Sequence, residues 1–259
     1  MTGSAGVMAV VLAQTVAGAA ALVFLTPLWR EVKPGFFTLT GVVVAILAPT
    51  AWWSAHVGLE AGSEAGLWAV RLAALVAVLC VAWAALMLAR KRPAARIAGL
   101  LTVPAGLATL VALAGTARQG EAVALFQLVA GAAFLGAVLD GLLLGHWYLT
   151  DRGLTRGPID RYTNLLLGAV VLEAVAVVTA GFGGVGAGSQ FNPLLGAGGL
   201  ASWIALGMVG TTALIAVMVR LTLRGERASA VQSATGFFYL AVVTAFTAEV
   251  AVKVRFLPG

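Results

Sequence analysis

The sequence predicts an all-α integral membrane protein with eight transmembrane helices and both termini on the outer side. Three observations carry that expectation. Of 259 residues, 61% are apolar and 10% charged, with a mean hydropathy of +1.02. A soluble domain carries about 25% charged residues, so a water-soluble globule could not hide this much apolar surface. The apolar residues form runs of roughly 20 or more, the length that crosses a bilayer as a helix. Lys and Arg gather in alternate loops, as the positive-inside rule requires. Runs of this length do not alternate in polarity, so they are helices rather than barrel strands.

In chain order the spans are expected at 5–29, 35–58, 66–89, 96–116, 122–149, 162–182, 199–222 and 229–252. The opening MTGSAGVMAV has no basic region, so Ala5 to Trp29 reads as a retained span rather than a cleaved signal. Arg30 and Lys33 follow span one. Arg90, Lys91, Arg92 and Arg96 follow span three, and Arg152, Arg156 and Arg161 follow span five. Arg220, Arg224 and Arg227 end span seven. These are twelve of the sixteen basic residues, and they fall on one side. That side is assigned to the cytoplasm of a bacterial-type inner membrane. The chain reads as one transmembrane domain, 1–259, with a possible parallel repeat of four plus four helices, 1–118 and 119–259. Basic segments leading into spans four and eight, each followed by a glycine step (105–107 and 235–237), suggest that repeat.

Composition excludes several functions. The single cysteine, Cys80, rules out an internal disulfide, a Cys-ligated zinc site and a self-contained iron–sulfur cluster. The basic balance serves topology, so no nucleic-acid partner is expected. The two histidines, His56 and His146, fall near opposite faces, which disfavours a bis-His haem and leaves His146 with Met218 as the only haem pair to consider. Loop 182–198 is glycine-rich but has no GlyLys[Ser/Thr] step, so it reads as a connector.

Ionisable groups inside hydrocarbon are costly and are candidates by default. The preferred set is on the basic side: Asp140, His146, Trp147, Tyr148 and Arg152. Asp140 and Trp147, seven residues apart, share a helix face. A carboxyl, an aromatic wall and a proton route are what a quinone head group needs. An interfacial belt with ordinary inside arginines explains the same aromatics structurally. Glu173 stands alone in span six, as a proton stepping stone or a hydrogen-bonded neutral side chain. The reserve set is near the outer face: Trp52, Trp53, His56, Arg71 and Glu249, with Glu60 and Glu64 on the same stripe as His56. Arg71 needs a partner, and depth suggests Glu249. A second quinone site or a docking face is the functional reading; a salt bridge under a tryptophan belt is the structural one.

The four-plus-four layout with outside termini resembles the quinol-handling membrane anchors of the NrfD/DmsC type, at the level of topology across the whole chain. The resemblance implies a quinone (menaquinone or ubiquinone), further subunits of a membrane complex, and an iron–sulfur partner on the outer side. The function expected is therefore a membrane subunit of a respiratory or redox complex that meets quinone and passes protons. A small proton-coupled secondary transporter, or a non-catalytic anchor, is the alternative.

Overall fold

The computed structural model describes residues 3–59, 63–117, 120–151, 153–179, 197–225 and 229–254. Among them all regular structure is helical: α1 (Gly3–Leu25), α2 (Leu28–Glu31), α3 (Pro34–Gly58), α4 (Glu64–Leu88), α5 (Arg92–Ala114), α6 (Glu121–Thr150), α7 (Gly157–Thr179), α8 (Ala197–Leu223) and α9 (Ser229–Val254). All but the four-residue α2 are long and apolar enough to cross a bilayer, which makes eight. The boundaries follow local chemistry. Prolines occupy the first turns of α3 and α5, where no amide hydrogen is needed. Ser63 caps α4, its hydroxyl accepting from the Gly66 amide at 3.0 Å. Helix α7 begins at Gly157, before the expected 162, because its charged first turn, with Asp160 and Arg161, continues the helix past the apolar stretch.

Threonines are common in these spans, and lipid offers their hydroxyls nothing. Thr15, Thr40, Thr102, Thr109, Thr163 and Thr235 each donate to the carbonyl one turn back, at 2.7–3.1 Å, so the helix satisfies them itself. Pro49 and Pro104 stand inside α3 and α5. Each leaves a carbonyl one turn back without its amide.

Helices α1, α3, α4 and α5 pack as a closed ring, each against the next and α5 against α1. Helices α6 to α9 form a second ring of the same kind. The rings join chiefly along α1 and α6, the two most enclosed spans, with 78% and 61% of their apolar windows buried against 33% for α8. Gln14 meets the Leu128 carbonyl and Gly18 meets the Ala132 carbonyl, so α1 and α6 run in the same direction. Their backbones touch because the contact positions lack side chains. A Cβ on Gly18 would strike the Ala132 carbonyl, and one on Gly136 would strike the Gly18–Ala19 backbone. Small residues drive helix association where lipid supplies no hydrophobic contrast.

An aromatic cluster fills the first ring near α2. Trp29 stacks on Phe37 at 3.8 Å between centroids, and Phe24 meets Trp83 edge-on at 4.8 Å. Ion pairs tie the basic end together. Lys33 reaches Asp151 at 2.8 Å, Arg161 grips Glu31 with two bonds of 2.7 and 2.9 Å, and Arg220 lies 3.4 Å from Asp160. Arg156 donates to the Leu223 and Gly225 carbonyls, closing the end of α8.

The Arg161 hydrogen bonds hold the Glu31 carboxyl below the usual range. Its contribution is therefore present above the ordinary carboxylate value and lost as pH falls through the folded one. Glu31→Gln should lower stability by less than about 1 kcal/mol at neutral pH, since both side chains are about one-third exposed. The gap from wild type should close as pH falls below the ordinary carboxylate range in thermal unfolding of detergent-solubilised protein.

Candidate functional site

The second ring holds a cluster of ionisable side chains with no access to solvent. Glu249 and Lys253, one turn apart on α9, pair at 3.2 Å with both side chains 0% exposed. The order, acid before base, is the favourable one on a helix. Glu173 of α7 is 1% exposed, and its carboxyl lies in the electrostatic field of both Glu249 and Lys253. Gln14 and Gln127, also buried, complete the surround. Gln14 Nε2 donates to the Leu128 carbonyl at 3.1 Å and, more weakly, to that of Gln127 at 3.4 Å. Gln127 Nε2 reaches the Ala176 carbonyl at 3.4 Å, one turn beyond Glu173.

Gly131 of α6 makes the room. A Cβ there would overlap Gln14 Nε2 and both Glu249 oxygens, so the carboxylate and the amide sit in space that any other residue would fill. Among the described residues, Gln14 Oε1, Glu173 Oε2 and both Glu249 oxygens accept no hydrogen bond, Glu249 Oε2 having only its ion pair with Lys253. Among the described residues, two carboxyl groups and one ammonium form the charge set. Fully ionised it carries one excess negative charge, and one bound proton makes it neutral. Burial in hydrocarbon makes that difference large. The cluster lies near the terminal end of the molecule: Glu249 is five residues from the end of α9, about 8 Å along the axis.

The expected site residues are distributed differently. Asp140 is fully buried and accepts from the Tyr162 hydroxyl at 3.4 Å, while its Oδ1 has no partner. Nine residues separate it from Gly131, about 14 Å along α6. Trp147 is not beside it; its ring fills the space over Gly35 at the start of α3. His146 is exposed, and the Tyr148 hydroxyl donates to the Thr155 carbonyl. Asp140, His146 and Trp147 thus turn to three different surroundings. Arg152 lies outside the described residues, as do Glu60 and loop positions 182–196.

Two expectations are corrected. Glu173 does not stand alone; it lies in the field of Glu249 and Lys253. Arg71 does not pair with Glu249. It is exposed on α4, in the other ring, with its guanidinium 5.5 Å from the Trp68 ring centroid, and Glu249 has Lys253 instead. Trp52, Trp53 and His56 are also exposed, with the Trp53 and His56 rings 6.2 Å apart.

Gln14, Gln127 and Gly131 carry no charge that would single them out. A signal for them is written in the chain: Gln14 to Leu22 reads QTVAGAAAL and Gln127 to Leu135 reads QLVAGAAFL, identical at seven of nine positions. The two copies are the touching stretches of α1 and α6. Compared with known protein families, curated proteins and solved structures, the chain matches none.

Proposed function

We propose that the protein is a membrane transporter that conducts protons by way of the Glu173–Glu249–Lys253 cluster. The observation that carries this reading is the grouping of ionisable side chains in a fully buried site: among the described residues two carboxyl groups surround one ammonium, so a single proton separates the neutral from the charged state of that set. Ionisable residues in a membrane interior that face the bundle are characteristic of proton and ion paths. Gln14 and Gln127 bind the surrounding helices to one another and leave the acceptor oxygens of Gln14, Glu173 and Glu249 turned inward. Lys253 holds Glu249 while the shared proton comes and goes.

The second reading is a quinone-facing subunit of a redox complex. The Asp140–Tyr162 pair favours it, since a carboxyl and a phenol at hydrogen-bonding distance near the basic end form a donor–acceptor pair of the kind that handles a quinone's protons. In that setting the cluster near the terminal end would exchange protons with the opposite surface.

The purified chain in liposomes loaded with a pH-sensitive dye, under an imposed potassium diffusion potential, should conduct protons above the rate of empty liposomes. Glu249→Gln and Glu173→Gln should each bring the rate down to that background while the protein remains folded. Background flux from the wild-type chain would overturn the transporter reading and leave the redox one.

A further inference from the structure

The first ring carries a feature that the buried cluster does not use. A lateral groove of about 580 Å3 opens between α3 and α4, lined by Pro49, Trp52, Ala74, Val78 and Val81. Its floor and walls are apolar. Its upper rim is not. His56 lies one turn beyond Trp52 on α3, and Arg71 lies one turn before Ala74 on α4, on the same stripe as Val78. The helices are antiparallel neighbours in the chain, and the pairs Trp52–Ala74 and Pro49–Ala77 line one groove, which brings His56 and Arg71 to the same level at its mouth. Both side chains are exposed.

Arg71 is the physical problem. It stands seven residues, or about 10 Å, inside α4 on an outward-facing stripe. A guanidinium cannot lose its charge there. Trp68 offers its ring face at 5.5 Å, which is attractive but does not neutralise. Among the described residues no carboxylate lies within ion-pair distance of it. Long basic side chains near helix ends reach toward the head-group layer. What meets them there is lipid phosphate.

We infer that the groove between α3 and α4 is a specific site for an anionic phospholipid of the leaflet at the terminal end. The phosphate sits on Arg71 with His56 as second donor, Trp52 and Trp53 bracket the glycerol level, and one acyl chain lies along the Pro49–Val78 groove. The volume is within the range of about 300–1,000 Å3 typical of ligand pockets. The net charge of the head group is what Arg71 selects. A zwitterionic lipid brings its own cation to the phosphate, and a quinone brings no charge. The proposal is independent of the proton site, which lies in the other ring.

The test is native mass spectrometry of the full chain, released from detergent containing equal amounts of phosphatidylglycerol and phosphatidylcholine. Wild type should retain one phosphatidylglycerol with a preference of about fivefold, the weight of one basic residue at a membrane surface. Arg71→Gln should abolish the preference, Arg71→Lys should keep most of it, and Lys33→Gln at the basic end should leave it unchanged. Trp52→Leu, at the groove wall, should weaken retention of either lipid and serves if Arg71→Gln does not purify. Equal retention of the two lipids by wild type, an unaltered preference in Arg71→Gln, or displacement of the bound lipid by an equimolar menaquinone would each overturn the assignment.

Discussion

Lys253→Met should cost the fold on the order of 3–5 kcal/mol, the loss expected when one member of a buried ion pair is removed and the other stays. Lys253 and Glu249 are both fully enclosed, and Glu173 adds a second carboxyl to the same space. The expected readout is a fall in thermal midpoint large enough to reduce recovery of monodisperse protein from detergent. The double variant Lys253→Met with Glu249→Met should recover much of it, because two apolar side chains of similar length fill the volume without leaving a charge behind. Additive losses in that cycle would show that the two groups do not interact. Lys33→Met is the contrast. It breaks a pair of similar length with Asp151, but the Lys33 side chain is 70% exposed, so the cost should stay below about 1 kcal/mol.

The second large effect concerns two glycines that occupy the same place in the repeated QxVAGAAxL stretch. Gly18→Ala should separate the rings. Its Cβ would fall on the Ala132 carbonyl, which belongs to a helix that cannot retreat without opening the whole α1–α6 contact. Overpacking costs roughly 1–3 kcal/mol where side chains can adjust, and here the obstacle is backbone, so the loss should reach the top of that range or exceed it. Gly131→Ala should behave differently. Its Cβ would meet the ends of Gln14 and Glu249, which can swing aside. The chain should fold with a smaller loss of midpoint, yet proton flux in liposomes should fall to background, because the carboxylate has been moved off its seat. Similar midpoints for the two variants, or full flux in Gly131→Ala, would contradict this account of the interface and of the cluster.

One sequence makes some of this physics legible and leaves the rest hidden. The eight spans are legible because hydrocarbon thickness sets a length that apolar runs must meet. Depth is partly legible as well, since position along a helix follows from counting residues at about 1.5 Å each. Lateral position is not legible in the same way. Arg71 and Glu249 lie at similar depth, but one is on α4 and the other on α9, and nothing in either helix's own pattern says which neighbours it will have. Helix α1 illustrates the reason. It is apolar on every side because it is enclosed on every side, so no stripe marks a facing direction. Gln14 carries no charge and so gives no charge signal, although a fully buried amide in lipid must find partners as surely as a carboxylate does. What identifies it is its twin, Gln127, in a nearly identical stretch of the helix it touches. The Asp140 environment was anticipated as polar and buried, but Trp147 was assigned to it by helix spacing alone, and its ring instead covers Gly35 of a neighbouring span.

The pairing of α1 with α6 also sets an order for biosynthesis. Gln14 enters the bilayer with the first helix, while the carbonyls that receive its amide belong to Gln127 and Leu128, 113 and 114 residues later. At translation rates of about 5–20 residues per second, that is a wait on the order of ten seconds. During it the first four helices can gather, but the flank of α1 that carries Gln14 faces lipid with an unmet amide. The arrival of α6 ends that exposure. The later half of the chain is thus recruited onto a surface that the earlier half holds open, and the nascent protein has a reason to remain beside the insertion machinery until its fifth span has been delivered.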